Sequence, residues 1–178
     1  MKRLLAAPLF LLLVAGTVMA EKPKTIGEIE RLDPAFDALV PKDAVIEVLA
    51  DGFEWTEGPV WVPQGGYLLF CDIPHNRIHK WSPQDGLSTF LEPSGYTGKE
   101  PLTGPEHGTN GLMLDSQGRL TACAHGARQV IRLGADGARE VLAAKYEGKR
   151  LNSPNDLVFK SNGDLYFTDP PYGLPKRY

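Results

Sequence analysis

A short construction recurs three times in this chain, and an internal repeat constrains the fold before any single residue is read. The copies are Thr56-Glu57-Gly58-Pro59-Val60-Trp61, Thr109-Asn110-Gly111-Leu112-Met113-Leu114 and Pro154-Asn155-Asp156-Leu157-Val158-Phe159. Each sets a polar side chain before an apolar run, a Gly turn and a second apolar run. The turns Pro63-Gln64-Gly65-Gly66, Asp115-Ser116-Gln117-Gly118 and Lys160-Ser161-Asn162-Gly163 align, and Gly suits hairpin positions that need positive φ. The second runs are Tyr67 to Cys71, Leu120 to Ala124 and Leu165 to Thr168. Third strands follow at Arg77 to Trp81 and Gln129 to Leu133 with period-2 alternation, and fourth strands at Leu87 to Leu91 and Ala138 to Leu142.

The copies lie 53 residues apart from Glu57 to Asn110 and 45 from Asn110 to Asn155. Four short antiparallel strands in about 40–50 residues mark a propeller blade. The fold class is therefore all-β, a β-propeller with about two and a half blades in this chain. Val45 to Phe53 resembles the outer strands in its pattern and is expected to be one, completing the last blade of a closed ring. The chain ends just after the second strand of the third copy, which would leave an unpaired strand edge, so it is expected to be the N-terminal portion of something longer.

Residues 1–20 carry Lys2 and Arg3, an apolar core over Leu9 to Val14 and the small-residue site Val18-Met19-Ala20. That is an export signal with an apolar run too short to span a bilayer comfortably. The mature chain is expected to start near Glu21 and to work in the periplasm or outside the cell, with no membrane attachment after cleavage. Residues 21–43 read as a lead-in with a weak helical pattern at Ile26, Ile29, Leu32 and Phe36, and residues 44–178 as the propeller. A net charge of −3 with 42% hydrophobic residues offers no basic patch for nucleic acid. Cys71 and Cys123 fall on different blades, so they are expected to be buried free thiols, and no Cys/His spacing suggests zinc. The Gly/Pro-rich connection from Gly95 to Gly108 runs into Asn110 and should lie over the face where polar residues gather.

The first strand of each blade lines a propeller's central axis. Glu57, Asn110 and Asn155 therefore point at one mouth of the channel, and carboxylate and amide oxygens are what a hard cation such as calcium takes. The strands that return to that mouth end at Asp72, His125 and Asp169. Such a cluster can bind a cation and polarise an ester carbonyl. Each residue also has a plainer reading. Glu57 and Asn155 suit turn hydrogen bonds, and Asn110-Gly111 is a common turn pair. His125 suits a buried, hydrogen-bonded histidine as well as a substrate contact or proton carrier, and Asp72 and Asp169 suit strand-end caps. His75, His79 and His107 read as surface or loop residues.

Glu57-Gly58-Pro59-Val60-Trp61, Asp72-Ile73-Pro74, Asn76-Arg77-Ile78, Asn110-Gly111-Leu112, and above all Asn152-Ser153-Pro154-Asn155-Asp156-Leu157 with Tyr166-Phe167-Thr168-Asp169-Pro170-Pro171-Tyr172-Gly173, resemble the gluconolactonase (senescence-marker-protein, SGL) family over Val45 to Tyr178. The resemblance implies a six-bladed propeller and a lactonase that opens small-molecule sugar lactones with one divalent cation, most often calcium, in the channel. It implies Glu57 as a metal ligand and Asn155 beside the metal, contacting substrate or a metal-bound water; Glu57 and Asn155 are thus the metal candidates, and Asn155, Asn110 and Asn152 the candidate substrate contacts. His125 and Asp169 are the catalytic candidates, His125 by its placement alone, which is similar to that of the working His of paraoxonase-type propellers. The family's other two metal ligands, an Asn and an Asp, and its usual general base come from later blades that this sequence does not contain, so residues 21–178 alone are expected to show little turnover. The competing reading is a non-enzymatic propeller that binds sugars or a protein partner. Neither reading fixes the oligomeric state.

Overall fold

The computed structural model describes residues 23–100, 102, 104 and 106–174. The expected export signal lies outside the described residues. Among those described, no helix is long and apolar enough to cross a membrane. The chain divides into two compact units, Met1–Leu49 and Ala50–Tyr178.

In the first unit the weak helical pattern yields one 3-10 turn, Pro34–Ala38, capped by Asp33, whose carboxylate accepts from the Ala35 N–H at 2.7 Å. Pro34 suits the first position of such a turn but cannot continue a helix that arrives from Ile29 and Leu32. Arg31 pairs with Asp37 at 2.8 Å and closes the segment on itself. Val45 to Leu49 is extended without becoming a strand. Its ladder contacts are the Thr25–Glu47 bridge and the bonds from the Ile26 N–H to the Ile46 carbonyl and from the Val48 N–H to the Lys24 carbonyl. Val45 to Phe53 was expected to complete the last blade of a closed ring, and the described residues include no strand of that blade for it to pair with.

The second unit holds the repeats. The first sheet is an antiparallel meander of β1 (Thr56–Val62), β2 (Tyr67–Asp72), β3 (Arg77–Ser82) and β4 (Gly86–Leu91), in that order. The second repeats it with β5 (Leu112–Leu114), β6 (Leu120–Ala124), β7 (Gln129–Leu133) and β8 (Arg139–Ala143). A small hairpin of β9 (Lys145–Tyr146) and β10 (Lys149–Arg150) follows, turning at Glu147 and Gly148, both at positive φ. The third copy contributes β11 (Leu157–Phe159) and β12 (Leu165–Phe167) as a two-stranded sheet.

The repeat extends to the irregularities. The β3–β4 ladder shifts register between Ile78 and His79, and the β7–β8 ladder shifts between Val130 and Ile131, the corresponding place. A third shift lies in the β1–β2 ladder between Glu57 and Val60 and takes up Gly58 and Pro59. A bulge is where a strand tolerates proline, which has no N–H to give to a ladder.

Two apolar layers hold the blades together. Leu69, Cys71 and Ile78 of the first sheet, with Ile73 of its β2–β3 turn, pack with Leu112, Leu120, Ala122 and Ile131 of the second. Cys123, Val130 and Leu157 form the next layer, with Met113, Phe159, Leu165 and Phe167 against it. Alternate residues of the second sheet thus face opposite neighbours: Ala122 and Ala124 one way, Cys123 the other. Both faces of β6 are covered, and its five residues are all buried. Full burial of a Leu, Ile or Val side chain contributes about 1.5–3 kcal/mol, so these layers dominate the stability of the stacked sheets. The fold is an all-β propeller segment of two complete four-stranded blades and part of a third.

Cys71 and Cys123 are free and buried, one in each layer. Burial pushes the Cys71 thiol up to about 12, against the lowering effect of its hydrogen bond with Thr109 and with a further rise from the Glu57 charge. Burial raises Cys123 as well. Neither is a nucleophile at neutral pH.

Candidate functional site

The innermost strands approach each other at the candidate residues. Gly58 has φ +56, and a Cβ built on it would lie 2.1 Å from the Asn110 carbonyl oxygen. A Cβ on Gly111 would lie 2.8 Å from the Asn155 carbonyl oxygen, which accepts from the Gly111 N–H at 2.7 Å. Each glycine sits directly after a polar residue of the repeat and lets the next blade's polar residue come alongside. Glu57, Asn110 and Asn155 thereby stand at equivalent places on successive, closely approaching strands, as the repeat predicts.

Their oxygens are largely unengaged. Glu57 is half-buried, and its Oε1 accepts from Trp55 Nε1 at 3.2 Å. Asn110 is buried and Asn155 half-buried, and neither carboxamide makes a hydrogen bond among the described residues. One carboxylate and two amide groups, each with free lone pairs, form part of a hard-cation donor set. Among the described residues no group of three or more His, Cys, Asp or Glu side chains is placed to hold a metal. Among the described residues, Glu57 is the one carboxylate beside these two amide groups.

The returning strand ends behave differently from that ring. Glu57 pairs with Cys71, the Asn110 N–H donates to the Cys123 carbonyl, and the Asn155 N–H donates to the Thr168 carbonyl. Counting on by one residue, Asp72, Ala124 and Asp169 are equivalent, and His125 lies one position further along. The repeat alignment that grouped His125 with Asp72 and Asp169 is one residue out.

Asp72 and Asp169 share a structural task. Asp72 is buried and accepts from the amides of Trp55 at 3.2 Å and Glu54 at 3.3 Å, and meets His75 Nδ1 at 2.9 Å. Burial works to raise its carboxyl, but the bonds from His75, Trp55 and Glu54 outweigh it and hold the group below the usual range. Asp169 Oδ2 accepts from the Asn152 amide at 2.8 Å, and Asn152 Nδ2 returns a bond to the Asp169 carbonyl at 3.0 Å. Glu54 and Asn152 stand at the same place, three residues before Glu57 and Asn155. In both copies the Asp ties down the segment that enters the innermost strand. Asp169 Oδ1 is out of solvent and without a partner among the described residues.

His125 is fully buried. Its Nδ1 lies 3.2 Å from the Pro154 carbonyl, which can only accept, and its Nε2 lies 2.6 Å from Glu106 Oε2. Gly173 covers the ring, since a Cβ there would fall 2.7 Å from Nε2. Ser153 holds this cover by accepting the Gly173 N–H at 2.9 Å. His125 thus braces Pro154, the residue before Asn155, and anchors the long loop through Glu106. The loop's ends are tied by the Tyr96 N–H to the His107 carbonyl at 2.8 Å and the Gly108 N–H to the Ile73 carbonyl at 2.9 Å. The motifs did not single out Glu106 or Trp55. The one signal for Glu106 is its place in the long Gly/Pro-rich connection.

His79, read from the sequence as a surface residue, is 6% exposed. It stacks on Phe70 with centroids 5.3 Å apart and meets Phe53 edge-on at 4.9 Å. His75 is exposed and His107 partly covered.

Comparison with known proteins agrees with this architecture. Residues 55–178 match the family model described as the SMP-30/Gluconolactonase/LRE-like region. A gluconolactonase of Zymomonas mobilis is 41% identical over 169 residues, covering 90% of this chain and 47% of the relative. A solved structure described as a putative gluconolactonase superposes with TM-score 0.70 at 42% identity, over 82% of this chain and 46% of that one. A Xanthomonas campestris gluconolactonase gives TM-score 0.68 at 34% identity, over 89% and 47%. The chain thus spans about half the length of the relatives it matches. With the repeat, the blades and this match in agreement, the chain belongs to the SMP-30/gluconolactonase/LRE-like family.

Proposed function

We propose that this protein is the cation-binding part of an exported lactonase that opens sugar lactones, working in the periplasm or outside the cell. The observation that carries the reading is the row of unengaged oxygens on Glu57, Asn110 and Asn155, drawn together by Gly58 and Gly111. The names of the relatives point the same way. Glu57 and Asn155 would hold a divalent cation, calcium being the best match to an all-oxygen donor set. Bound there, such an ion supplies a Lewis acid for the lactone carbonyl.

This chain's residues do the positioning. Trp55 fixes the Glu57 carboxylate by holding one oxygen and leaving the other. Asn110 and Asn155 present amide donors and acceptors to the hydroxyls of a sugar ring. Asn152 keeps its Oδ1 for substrate while Nδ2 is bound to Asp169. His125 acts as a positioning residue through Pro154 and Glu106 and does not touch substrate, because it is buried beneath Gly173. The remaining ligands and the general base that the family resemblance implies lie outside this sequence.

The test is a chimera of residues 21–178 with the part of the Zymomonas mobilis relative that this chain does not cover. A folded chimera should hydrolyse δ-gluconolactone in a cation-dependent, EDTA-sensitive way. Glu57→Gln should lower the rate about a hundredfold, in line with loss of one preorganised electrostatic group. Hydrolysis that ignores both EDTA and Glu57→Gln would overturn the proposal. A folded chimera with no turnover would favour a sugar-binding or protein-binding module.

A further inference from the structure

A second polar site lies beside the mouth. A cavity of about 210 Å³ is lined by Tyr96, Glu106, His107, Arg128, Arg150 and Gly173, among others. Pockets that enclose a whole drug-sized ligand run to roughly 300–1,000 Å³, so this one suits a single ionised group and the few carbons next to it. Arg128 and Arg150 line it, and neither forms an ion pair among the described residues. Arg128 Nε donates to the Leu151 carbonyl at 2.7 Å, and Arg150 Nη2 donates to the Ala127 carbonyl at 3.2 Å. Those crossed bonds leave both Nη atoms of Arg128 and the Nε and Nη1 of Arg150 unspent. The one carboxylate in the wall, Glu106, lies 2.6 Å from His125 Nε2 through its Oε2. His107 Nε2 is out of solvent and without a partner among the described residues.

Arg128 has φ +62 and Asn76, at the equivalent turn of the first blade, has φ +53, so the repeat's turn sets this backbone and the second blade places an arginine where the first has asparagine. The pocket adjoins the mouth along the chain: Gly126 follows His125, and its N–H donates to the carbonyl of Gly108, two residues before Asn110.

We propose that Arg128 and Arg150 form an oxyanion-binding subsite at the rim of the mouth, which takes the carboxylate or phosphate of a sugar acid. Guanidinium forks fit both groups with paired hydrogen bonds. The identity of the sugar rests on the lactonase reading, whose ring-opened product carries a carboxylate, but the site itself does not.

Titration of the ¹⁵N-labelled chain tests it without turnover or added cation, so failure of the lactonase reading leaves the result interpretable. The probes are gluconate, inorganic phosphate and neutral glucose. The amides of Gly126 and Gly173 should shift saturably with one or both anions and stay still with glucose. Stronger binding of gluconate would identify a carboxylate as the ligand, and stronger binding of phosphate a phosphorylated sugar. Arg150→Gln, at an exposed position, should weaken binding at least tenfold with the melting temperature nearly unchanged. Arg128→Lys keeps the charge but loses the fork and should weaken it several-fold. No saturable shift at these glycines, an equal response to glucose, or unchanged affinity in both variants would overturn the proposal.

Discussion

Replacing Gly58 with alanine tests how the mouth is assembled. The position has φ +56, where an L-residue with a Cβ loses about 1 kcal/mol or more. The new Cβ would also lie 2.1 Å from the Asn110 oxygen and 3.0 Å from both the Asn110 carbon and the Leu112 nitrogen. These are backbone atoms of the next blade's innermost segment, so no flexible side chain can swing away. Relief requires that segment to retreat, which strains the Cys71 Sγ bond to the Asn110 carbonyl at 3.0 Å and the Gly111 bond to Asn155 at 2.7 Å. Overpacking of this kind costs about 1–3 kcal/mol. The sum is about 2–4 kcal/mol, a large share of the 5–15 kcal/mol typical of a domain. Gly66→Ala is the control, because Gly66 has φ +62 but nothing within 4 Å of an added Cβ. It should lose only the backbone part, about 1 kcal/mol. Urea unfolding of the two variants measures the difference, with unchanged m-values confirming like transitions. Equal midpoints for Gly58→Ala and Gly66→Ala would refute the close approach of blade to blade on which the oxygen ring depends.

Four further outcomes follow from buried groups and the leader. His79 is held below its ordinary 6.5, chiefly by burial and also by the Arg77 and His75 charges, against the opposing effect of Asp72 and Glu92. The unfolded chain therefore binds a proton at His79 that the folded chain refuses, and stability should fall as pH drops below 6.5 toward the folded value. His79→Phe should flatten that part of the profile, and an unchanged slope would contradict the assignment. Asp72 is shifted the other way relative to its charge, below 3.8, so its contribution is present above 3.8 and lost as pH falls further; Asp72→Asn should remove only that acidic limb. Cys71 and Cys123 should resist alkylation by iodoacetamide in the native state and react at once in urea; fast native reaction would mean the layers between blades open readily. N-terminal sequencing of the exported protein should begin near Glu21, and recovery of Lys2 in the exported chain would contradict the leader reading.

The strands were legible because their signals are local. Gly-containing turns and the apolar runs between them repeat within each copy, and β2, β3, β6 and β7 fall within a residue or so of their expected bounds. The equivalence of Glu57, Asn110 and Asn155 was legible for the same reason. What escaped depended on register or on distant partners. Strict alternation along Arg77 to Trp81 puts Ile78 and His79 on opposite faces, with His79 facing solvent. Both are buried, because the ladder shifts between them and because Phe53, far from β3 in sequence, covers the imidazole. The one-residue offset of His125 from Asp72 and Asp169 shows only in the hydrogen bonds of the hairpins. Glu106 lies in a loop with no periodicity, and nothing local ties it to His125.

The most direct test of the oxygen ring is calcium-dependent stability. Melting curves of this chain would be recorded in EDTA and with increasing calcium, alongside Glu57→Gln, which keeps the shape and removes the charge. Ligand binding to the native state raises stability by about 2.7 kcal/mol at a concentration a hundred times Kd. For a chain of this size that is a rise of roughly 5–10 °C. The expected result is a saturable rise in the parent chain that Glu57→Gln abolishes. A calcium response of the same size in both proteins would place the cation elsewhere and contradict the role assigned to Glu57.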